Sequence, residues 1–404
     1  MRPILMRIRH CLAIFTLFVT LSPAAQAADR ALSAAARDRF QPEDVFQLEF
    51  ASDPQISPDG EHVVYVRNSM DIMTDRRRSK LWIVRFDGSE HRPLTTGEHD
   101  DTAPRWSPDG RRLLYLSRDD SSTQIFVRWM DTGQTARLSN VTESPGGIAW
   151  SPDGQWIAFS MHVAAEDKPF ATMPREPDGA EWAAPPRVID KLTYRRDGSG
   201  YVEGGASQLF VLPADGGTPR AVTSGDFDHS GAPTWTSDSR GLVFSSNEQD
   251  DWEYDPVESE LYEVPIAGGA ARRITDRDGP DSDPVVSPNG RMIAYVGFDD
   301  QRMSYDTTRL YVMDRDAAQV RLLSGELDQS VRQPSWDAES RGIYFLYDEH
   351  GVTKLAYVAA SGGAAQTLAT NAGGTSLGRP YGGGTYSVAK DGRFALTLTS
   401  PSPP

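Results

Sequence analysis

A short turn motif that returns along the chain limits what this sequence can fold into more than any other feature does. Its clearest copy is Trp106-Ser107-Pro108-Asp109-Gly110, which is followed by the apolar run Leu113-Leu114-Tyr115-Leu116. Proline pre-sets the backbone of the second turn position, and glycine accepts the backbone angles with which the turn ends. The motif therefore predicts a strand, a tight turn and a second strand.

The same motif recurs through the whole chain. Its copies start at Ser57, Ser107, Ser151, Thr236, Ser287, Asp337 and, in a degenerate form, near Ala389. Successive copies lie about 50 residues apart, except that Thr236 follows Ser151 after a longer interval, and a period of this length is typical of propellers, solenoids and arrays.

Each repeat carries the signals of four short strands. An apolar residue precedes the turn, a run rich in β-branched and aromatic residues follows it, and a third such run leads through a glycine turn to a short fourth strand. These runs exclude helical repeats, and a β-sandwich would not require the long regular period. We therefore predict an all-β fold, a β-propeller of four-stranded blades with seven repeats, in which the tryptophans before the turns belong to the core.

Two features interrupt the repeat within residues 51–404, which we assign to the propeller. The third repeat contains an insertion at residues 161–205, between its second and third strands, and such insertions favour a functional or interfacial role. The seventh repeat supplies two strands, Thr385–Val388 and Phe394–Thr399, before the sequence stops at Pro404. Because an open half-blade exposes unpaired strand edges, we expect a truncated seventh blade in a sequence that is a fragment or a truncated product.

Residues 1–27 have the pattern of a signal peptide. Three arginines precede an apolar run at residues 11–21, which is too short for a stable membrane anchor, and an A-x-A cleavage site follows. We expect cleavage after Ala27 and a periplasmic or secreted protein, with an uncleaved N-terminal anchor as the alternative. Residues 28–50 are predicted to be partly helical, with a helix that starts at Pro42-Glu43-Asp44.

Cysteine usage and net charge exclude several classes of function. Cys11 is the only cysteine and lies in the signal segment, so the mature chain has no disulfide, no thiol catalysis and no cysteine-ligated metal. The formal net charge is −16, from 41 basic and 57 acidic residues. Such a chain repels nucleic acids and anionic membrane surfaces, and we expect neither as a partner.

One stretch matches a catalytic motif by its letters alone. Gly374-Thr375-Ser376-Leu377-Gly378 has the form G-x-S-x-G, which in a nucleophile elbow lies between a hydrophobic strand and a helix. Glycine-rich sequence flanks it on both sides, and no histidine follows Ser376 to act as the base, since the last histidine is His350. We interpret the match as a chance feature of a loop between blades.

Three acidic groups in the connecting loops are candidates for ligand binding. Oxygen-rich loops can hold calcium, and carboxylates beside aromatic residues can bind a cationic peptide end, but a solvated loop is the favoured interpretation of each group. The groups are Asp276, Asp278, Asp281 and Asp283; Asp226, Asp228 and His229; and Asp250, Asp251, Glu253, Asp255, Glu258 and Glu260 with Trp252 and Tyr254. The histidines show no metal-ligand spacing. The sequence thus assigns no catalytic, cofactor-binding or metal-binding residue.

The repeat resembles those of two known groups of propellers. Ser-Pro-Asp-Gly after Trp, an apolar strand, a Leu-Tyr/Trp-Val strand and a closing Leu-Thr are similar to the Tol-system periplasmic propeller and to the propeller of the prolyl oligopeptidase family. Three stretches favour the peptidases, especially the acylaminoacyl peptidase and dipeptidyl peptidase-like branch. They are Pro42-Glu43-Asp44 through Ser52–Gly60, Tyr194–Tyr201, and Ser246-Asn247-Glu248.

The resemblance covers nearly the whole mature chain but only the non-catalytic half of the peptidase family. It implies a propeller that restricts access of short peptides to a C-terminal α/β-hydrolase domain, whose Ser, Asp and His perform acyl transfer and which is absent from these 404 residues. No triad residue can be assigned, and residues 250–260 lack the adjacent glutamate pair of some dipeptidyl peptidases. No cofactor is implied. The alternative is a stand-alone periplasmic propeller that binds a protein partner, as the Tol-like repeats suggest.

Overall fold

The computed structural model describes residues 40–119, 121–165, 171, 174–183, 187–229, 231–374 and 384–398. The signal segment and residues 28–39 therefore lie outside the described residues. A 3₁₀ helix, Pro42–Gln47, begins where the sequence predicts a helix start, and the backbone N–H of Gln41 donates to Asp44 Oδ2 (2.8 Å) at its first turn. Within the described ranges, no helix has the length and apolarity needed to cross a membrane.

The remaining elements of the described residues are strands, and they confirm the predicted all-β propeller of four-stranded blades. Among the described residues, six antiparallel sheets have four strands each and form blades 1 to 6, and a two-stranded sheet that follows them forms blade 7, with each blade's strands in chain order from one edge to the other. Blade 1 contains β1 (Glu49–Ile56), β2 (His62–Asp71), β3 (Arg76–Arg85) and β4 (Arg92–Pro93), and blade 2 contains β5 (Asp100–Trp106), β6 (Arg112–Arg118), β7 (Thr123–Trp129) and β8 (Thr135–Arg137).

The other blades follow the same order. Blade 3 contains β9 (Gly146–Trp150), β10 (Trp156–Ala164), β13 (Gly205–Pro213) and β14 (Arg220–Ala221), with the hairpin β11 (Arg195–Arg196) and β12 (Gly200–Tyr201) in its insertion. Blade 4 contains β15 (Thr234–Trp235), β16 (Gly241–Ser246), β17 (Glu260–Pro265) and β18 (Arg272–Arg273), and blade 5 contains β19 (Asp281–Val286), β20 (Met292–Gly297), β21 (Arg309–Asp314) and β22 (Arg321–Leu322). Blade 6 contains β23 (Val331–Trp336), β24 (Gly342–Glu349), β25 (Val352–Ala359) and β26 (Gln366–Ala372), and blade 7 contains β27 (Tyr386–Val388) and β28 (Phe394–Leu396).

Two boundaries differ from those expected from the sequence. β1 begins at Glu49, inside the segment 28–50, because it is already paired with Ser69 of β2 there. β10 and β13 remain paired as far as Ala164 and Gly205, so the insertion lies between these two residues rather than over all of 161–205.

The predicted turns are held by their own side chains. In blade 1, Ser57 Oγ donates to Asp59 Oδ1 (2.5 Å) and accepts the backbone N–H of His62 (2.9 Å). The N–H of Gly60 donates to Ser57 O (2.8 Å). Gly60 has a φ of 72°, which residues other than glycine rarely adopt. Hydrogen bonds from the Ser57 hydroxyl and the Glu61 backbone lower the pKa of Asp59. The same side-chain bond holds the turns that start at Ser107, Ser151, Thr236 and Ser287.

The first strand of several blades bends at a proline that the turn motif did not single out. Asp53, Ala103, Asp283 and Gln333 each precede a proline, have φ between 48° and 53°, and mark a slip in strand pairing. Such β-bulges bend a strand and increase its twist. Proline is compatible with this position because the first strand of each blade is an edge strand.

Apolar packing joins each blade to the next. Six clusters of buried side chains lie between successive blades, from blades 1 and 2 to blades 6 and 7. Four tryptophans before the turns add a hydrogen bond in which the indole N–H donates to a backbone carbonyl of the preceding blade. The donors and acceptors are Trp106 and Gln55 (3.0 Å), Trp150 and Arg105 (3.0 Å), Trp235 and Ala149 (3.2 Å), and Trp336 and Val285 (2.9 Å).

Blade 7 is bonded to both of its neighbours although it has two strands. Tyr386 OH donates to Gln333 O of blade 6 (2.7 Å), and the backbone N–H of Ile56 in blade 1 donates to Ser387 Oγ (2.7 Å). Between β28 and blade 1 lies a groove of about 360 Å³, and Leu398 at its margin is exposed. Among the described residues, blade 7 therefore joins blade 1 through a hydrogen bond, whereas an apolar cluster joins each of the other pairs of successive blades.

Candidate binding cleft and acidic pocket

A cleft of about 630 Å³ opens where the blade-3 insertion meets blades 4 and 5, and we call it the insertion cleft. Stretches that are far apart in the sequence supply its lining, namely parts of 187–205, 226–232, 244–247, 252–259 and 282–284. The sequence predicted a functional or interfacial role for the insertion. The structure places the second half of the insertion in the wall of this cleft.

The insertion is attached to blade 4 by polar contacts. The backbone N–H of Leu192 donates to Glu253 Oε1 (3.1 Å). Next to it, the Lys191 ammonium lies over the indole ring of Trp252, 5.7 Å from the ring centroid. Glu253 and Trp252 belong to the acidic loop recognised in the sequence, so part of that loop fixes the insertion in place.

The lining of the insertion cleft combines apolar surface with charges of both signs. The insertion contributes the exposed side chains Val188, Ile189, Tyr194 and Tyr201 together with the cations Arg187, Lys191 and Arg196. The blades contribute the carboxylates Asp226, Asp228, Glu258 and Asp283. The insertion adds two further acids, Asp190 and Glu203. A cleft with charges of both signs and apolar surface between them suits a short, polar chain with apolar side chains.

The predicted group of Asp226, Asp228 and His229 does not form one site. His229 is buried, with its Nδ1 2.9 Å from Gln208 Oε1 and its Nε2 2.9 Å from Glu248 Oε1. Asp228 Oδ1 accepts the backbone N–H of a β13 residue (2.8 Å), and Asp226 lines the insertion cleft. His229 is therefore a hydrogen-bonded core histidine between blades 3 and 4.

A second pocket, of about 740 Å³, lies against the other side of Glu258, and we call it the acidic pocket. Its carboxylates are Glu248, Asp250, Asp251, Asp255, Glu258, Asp276 and Asp278, and it is also lined by Gln249, Tyr262, Arg273 and Arg277. The sequence favoured a solvated loop for residues 250–260. Glu258 and Glu260 depart from that expectation because both are buried.

Glu258 separates the two pockets and is 5% exposed. Its Oε2 accepts the backbone N–H of Gly279 (2.7 Å), while Oε1 has no hydrogen-bond partner among the described residues. Desolvation raises the pKa of Glu258, and the charges of Glu260 and other nearby acids act in the same direction. A buried carboxylate without full pairing is costly to ionise, and a cation placed beside it would offset that cost.

Two arginines neutralise the carboxylates buried behind the acidic pocket. Glu260 pairs with Arg273, and its Oε2 accepts the hydroxyl hydrogen of Thr275 (2.6 Å). Asp281, which is 1% exposed, has its Oδ1 3.1 Å from Arg277 Nε. Desolvation nevertheless outweighs this ion pair and raises the pKa of Asp281 to about 7.

The loop carboxylates considered for calcium diverge in the structure. Asp276 pairs with Arg273 (2.7 Å) and Asp278 lines the acidic pocket, whereas Asp281 is buried and Asp283 lines the insertion cleft. Across the described part of the chain, no group of three or more His, Cys, Asp and Glu residues could hold a metal ion.

The G-x-S-x-G match was interpreted from the sequence as a chance feature of a loop between blades. Ser376 of the G-x-S-x-G match lies outside the described residues, of which Gly374 is a member. Sequence reasoning missed the burial of Glu258 and the contact of Lys191 with Trp252. The position of Lys191 in the insertion was a signal for the contact, but local sequence could not identify Trp252 of the next blade as its partner.

Comparison with known proteins places the chain among propellers. A family profile described as the TolB beta propeller domain, PD40, matches residues 47–179 and 199–378, more than half of the chain. The uncharacterized peptidase YuxL of Bacillus subtilis is 31% identical over 206 residues, which cover 51% of this chain and 31% of that protein. Dipeptidyl-peptidase 5 of Porphyromonas gingivalis is 25% identical over 334 residues, which cover 79% of this chain and 47% of that protein. The chain thus spans less than half the length of these two curated relatives.

A solved structure gives the same fold. Uncomplexed acylaminoacyl peptidase of Pyrococcus horikoshii matches with a TM-score of 0.64 at 17% identity, over 83% of this chain and 48% of that chain. At this level of identity the likeness establishes the propeller fold alone.

Proposed function

The chain belongs to the TolB beta propeller domain family, PD40, and from that premise we propose that it is the propeller portion of an exported serine peptidase that acts on short peptides. In this proposal the propeller limits which peptides reach a hydrolase domain outside these 404 residues, and that domain supplies the catalytic triad. Two relatives are described as peptidases, and each is longer than the region that this chain matches. Export is proposed from the signal pattern of residues 1–27.

The insertion cleft is the observation that carries the proposal. Its volume of about 630 Å³ lies within the range of small-ligand sites. A short peptide offers an ammonium group, a carboxylate and apolar side chains, and the lining of the cleft offers complementary groups to each. Loops placed on a rigid scaffold commonly carry binding residues, and this insertion is the longest departure from the repeat.

Peptide binding to residues 28–404 tests this role directly. We expect saturable binding of a fluorescent tripeptide with free termini, measured by anisotropy, and no hydrolysis of acyl-peptide or dipeptide reporters. Tyr194→Ala removes an exposed aromatic ring from the cleft and should weaken binding by about three- to tenfold, since such a contact contributes about 0.5–1.5 kcal/mol. Tyr305→Ala is the matched control, because Tyr305 is an exposed tyrosine on blade 5 that lines none of the pockets described above.

Two results would contradict the proposal. Equal binding by Tyr194→Ala and the wild-type protein would place the peptide elsewhere. Hydrolysis by residues 28–404 that is lost in Ser376→Ala would place catalysis in this chain itself and refute the division between propeller and hydrolase.

A stand-alone propeller that binds a periplasmic protein is the second candidate. The bonds of blade 7 to both neighbours favour it, because they join the last described blade to the first and to the sixth. Calorimetry of residues 28–404 would support this candidate if it shows one cooperative transition, a defined protein binds with a saturable signal and short peptides do not bind.

A further inference from the structure

We propose that the acidic pocket is a second binding site, separate from the insertion cleft, for the lysine or arginine side chains of a basic peptide segment. The proposal concerns recognition by the propeller alone and goes beyond the peptidase role, since it requires no hydrolase domain. Its evidence is the balance of charge in the pocket, the state of Glu258 and the spacing of the carboxylates.

The pocket has far more negative than positive charge. Seven carboxylates line it, but only two cations do, and both cations have partners already. Arg273 pairs with Glu260 and Asp276, and Arg277 pairs with Asp281. The carboxylates that project into the pocket therefore keep most of their negative potential, which attracts cations and repels anions.

Glu258 supplies an independent sign of a ligand. It is buried at the wall of the pocket, and its Oε1 has no hydrogen-bond partner among the described residues. Leaving a buried polar atom unpaired is unfavourable, whereas a charged N–H donor can form a strong hydrogen bond with it. An ammonium or guanidinium group that enters the pocket would complete the bonding of this carboxylate.

The spacing of the carboxylates favours an extended cation over a metal ion. Calcium takes six to eight oxygen ligands at about 2.3–2.6 Å, but within the described ranges no three acidic or histidine side chains are grouped closely enough to hold a metal. The pocket has a volume of about 740 Å³, and its carboxylates come from two segments, 248–258 and 276–278. Several cationic side chains on one peptide can reach such separated charges at the same time.

A tetralysine peptide with a blocked N-terminus and an amidated C-terminus is the probe, labelled on an added cysteine. Blocking removes the terminal charges that the insertion cleft would recognise. We expect saturable binding to residues 28–404 by fluorescence anisotropy, with an affinity that falls as salt is raised. Glu258→Gln should weaken binding about tenfold, which corresponds to about 1.4 kcal/mol. The double variant D250N/D251N, at exposed pocket positions, should weaken it about threefold.

The double variant E98Q/E143Q is the matched control. It removes two exposed carboxylates between blades 1 and 3 and gives the same net charge as D250N/D251N. Binding should stay within twofold of wild type. An equal loss in both double variants would show attraction to an acidic protein in general and would overturn the proposal, as would full binding by both pocket variants or displacement of the peptide by stoichiometric calcium.

Two further measurements keep the test decisive. If Glu258→Gln does not fold, D250N/D251N retains the buried residue and still reports on the pocket. Tetralysine binding that persists in Tyr194→Ala separates this site from the insertion cleft, so that failure of the peptidase proposal and failure of this one give different results. Loss of tetralysine binding in Tyr194→Ala, with full binding in D250N/D251N, would assign the cationic peptide to the cleft instead and refute the pocket.

Discussion

Blades 4 and 6 occupy the same ring and follow the same repeat, yet they use their strands differently. In blade 6 the two central strands, Gly342–Glu349 and Val352–Ala359, pair over eight residues each. In blade 4 the central strands pair over six residues and the first strand has two. The apolar centre of the sheet is buried in both blades. In blade 4, however, a loop that carries Glu258 and lines both pockets takes the place of part of the paired strands.

This difference shows which part of a repeat is needed for the ring and which part is free to vary. Clusters on both sides of blade 4 bury its apolar residues against blades 3 and 5. Because neighbouring blades cover the centre of the sheet, its ends can shorten without loss of the core. The residues that line the two pockets then occupy the shortened ends.

Removing a central side chain should have the largest effect. Phe345 in blade 6 is 0% exposed and lies in the cluster between blades 5 and 6. Phe345→Ala should lower the free energy of unfolding by about 3–5 kcal/mol, because it deletes buried surface and leaves a cavity. Tyr254→Ala in the blade-4 loop, at a side chain that is 79% exposed, should change it by less than about 0.5 kcal/mol. Urea titration of both variants measures the difference, and similar losses would contradict the distinction between core and loop.

The buried acid between blades 4 and 5 should make stability depend on pH. The pKa of Asp281 in the folded protein, about 7, lies above its usual value of 3.8. The folded state therefore binds more protons between these values, so this contribution is present at low pH and is lost as the pH rises through about 7. Each pKa unit corresponds to about 1.4 kcal/mol. The urea midpoint should decrease as the pH rises from about 5 to about 7 and level off above that, and Asp281→Asn should flatten the slope.

A carboxylate in blade 6 provides the control for that measurement. Partial burial acts to raise the pKa of Asp348, but hydrogen bonds from Arg332 and Thr353 lower it on balance. Asp348 is thus ionised throughout the same range, and Asp348→Asn should keep the slope of the wild-type protein. An unchanged slope in Asp281→Asn would refute the assignment.

The indole hydrogen bonds should contribute equally to both blades. Trp336→Phe and Trp235→Phe each remove an N–H donor and leave a carbonyl of the preceding blade without it. Each should cost about 1–2 kcal/mol of unfolding free energy. Thermal and urea unfolding test this. A loss in blade 6 with no loss in blade 4 would show that the insertion, and not the tryptophan, holds blades 3 and 4 together.

The smallest expected effect concerns the join between the half-blade and blade 1. Ser387→Ala removes the acceptor of the Ile56 backbone N–H and should cost about 1 kcal/mol. Hydrogen exchange at Ile56 should become faster in this variant while exchange at Leu114 in the core of blade 2 stays unchanged. Faster exchange at both positions would indicate that the whole ring depends on this one bond.

The sequence predicted the fold well because the signals of a blade are local. Ser57, Asp59 and Gly60 specify their turn through hydrogen bonds within six residues. The apolar pattern of the strand that follows predicts a strand without information from neighbouring strands. The bulges at Asp53 and Gln333 were not predicted, although the proline that follows each of them is a local signal.

The candidate site was harder to predict because its properties arise between blades. Glu258 looks like any loop glutamate in the sequence, and it is buried because residues of blade 5, such as Gly279, pack against it. Lys191 lies against Trp252. Next to this contact, Leu192 bonds to Glu253, which lies 61 positions away in the sequence. Composition identified the segments involved, while burial and partners depended on tertiary packing.

The direction of the indole bonds has a consequence for how the ring is built. In all four cases the donor belongs to the later blade and the acceptor to the earlier one. When the chain is made from its N-terminus, the acceptor carbonyl is therefore already in place when blades 2, 3, 4 and 6 form. Assembly can then proceed in one direction by nearest-neighbour steps. The bond between Ile56 and Ser387 spans 331 positions and must wait for the last blade. Closing the circle is thus the slow, long-range event in an otherwise stepwise assembly.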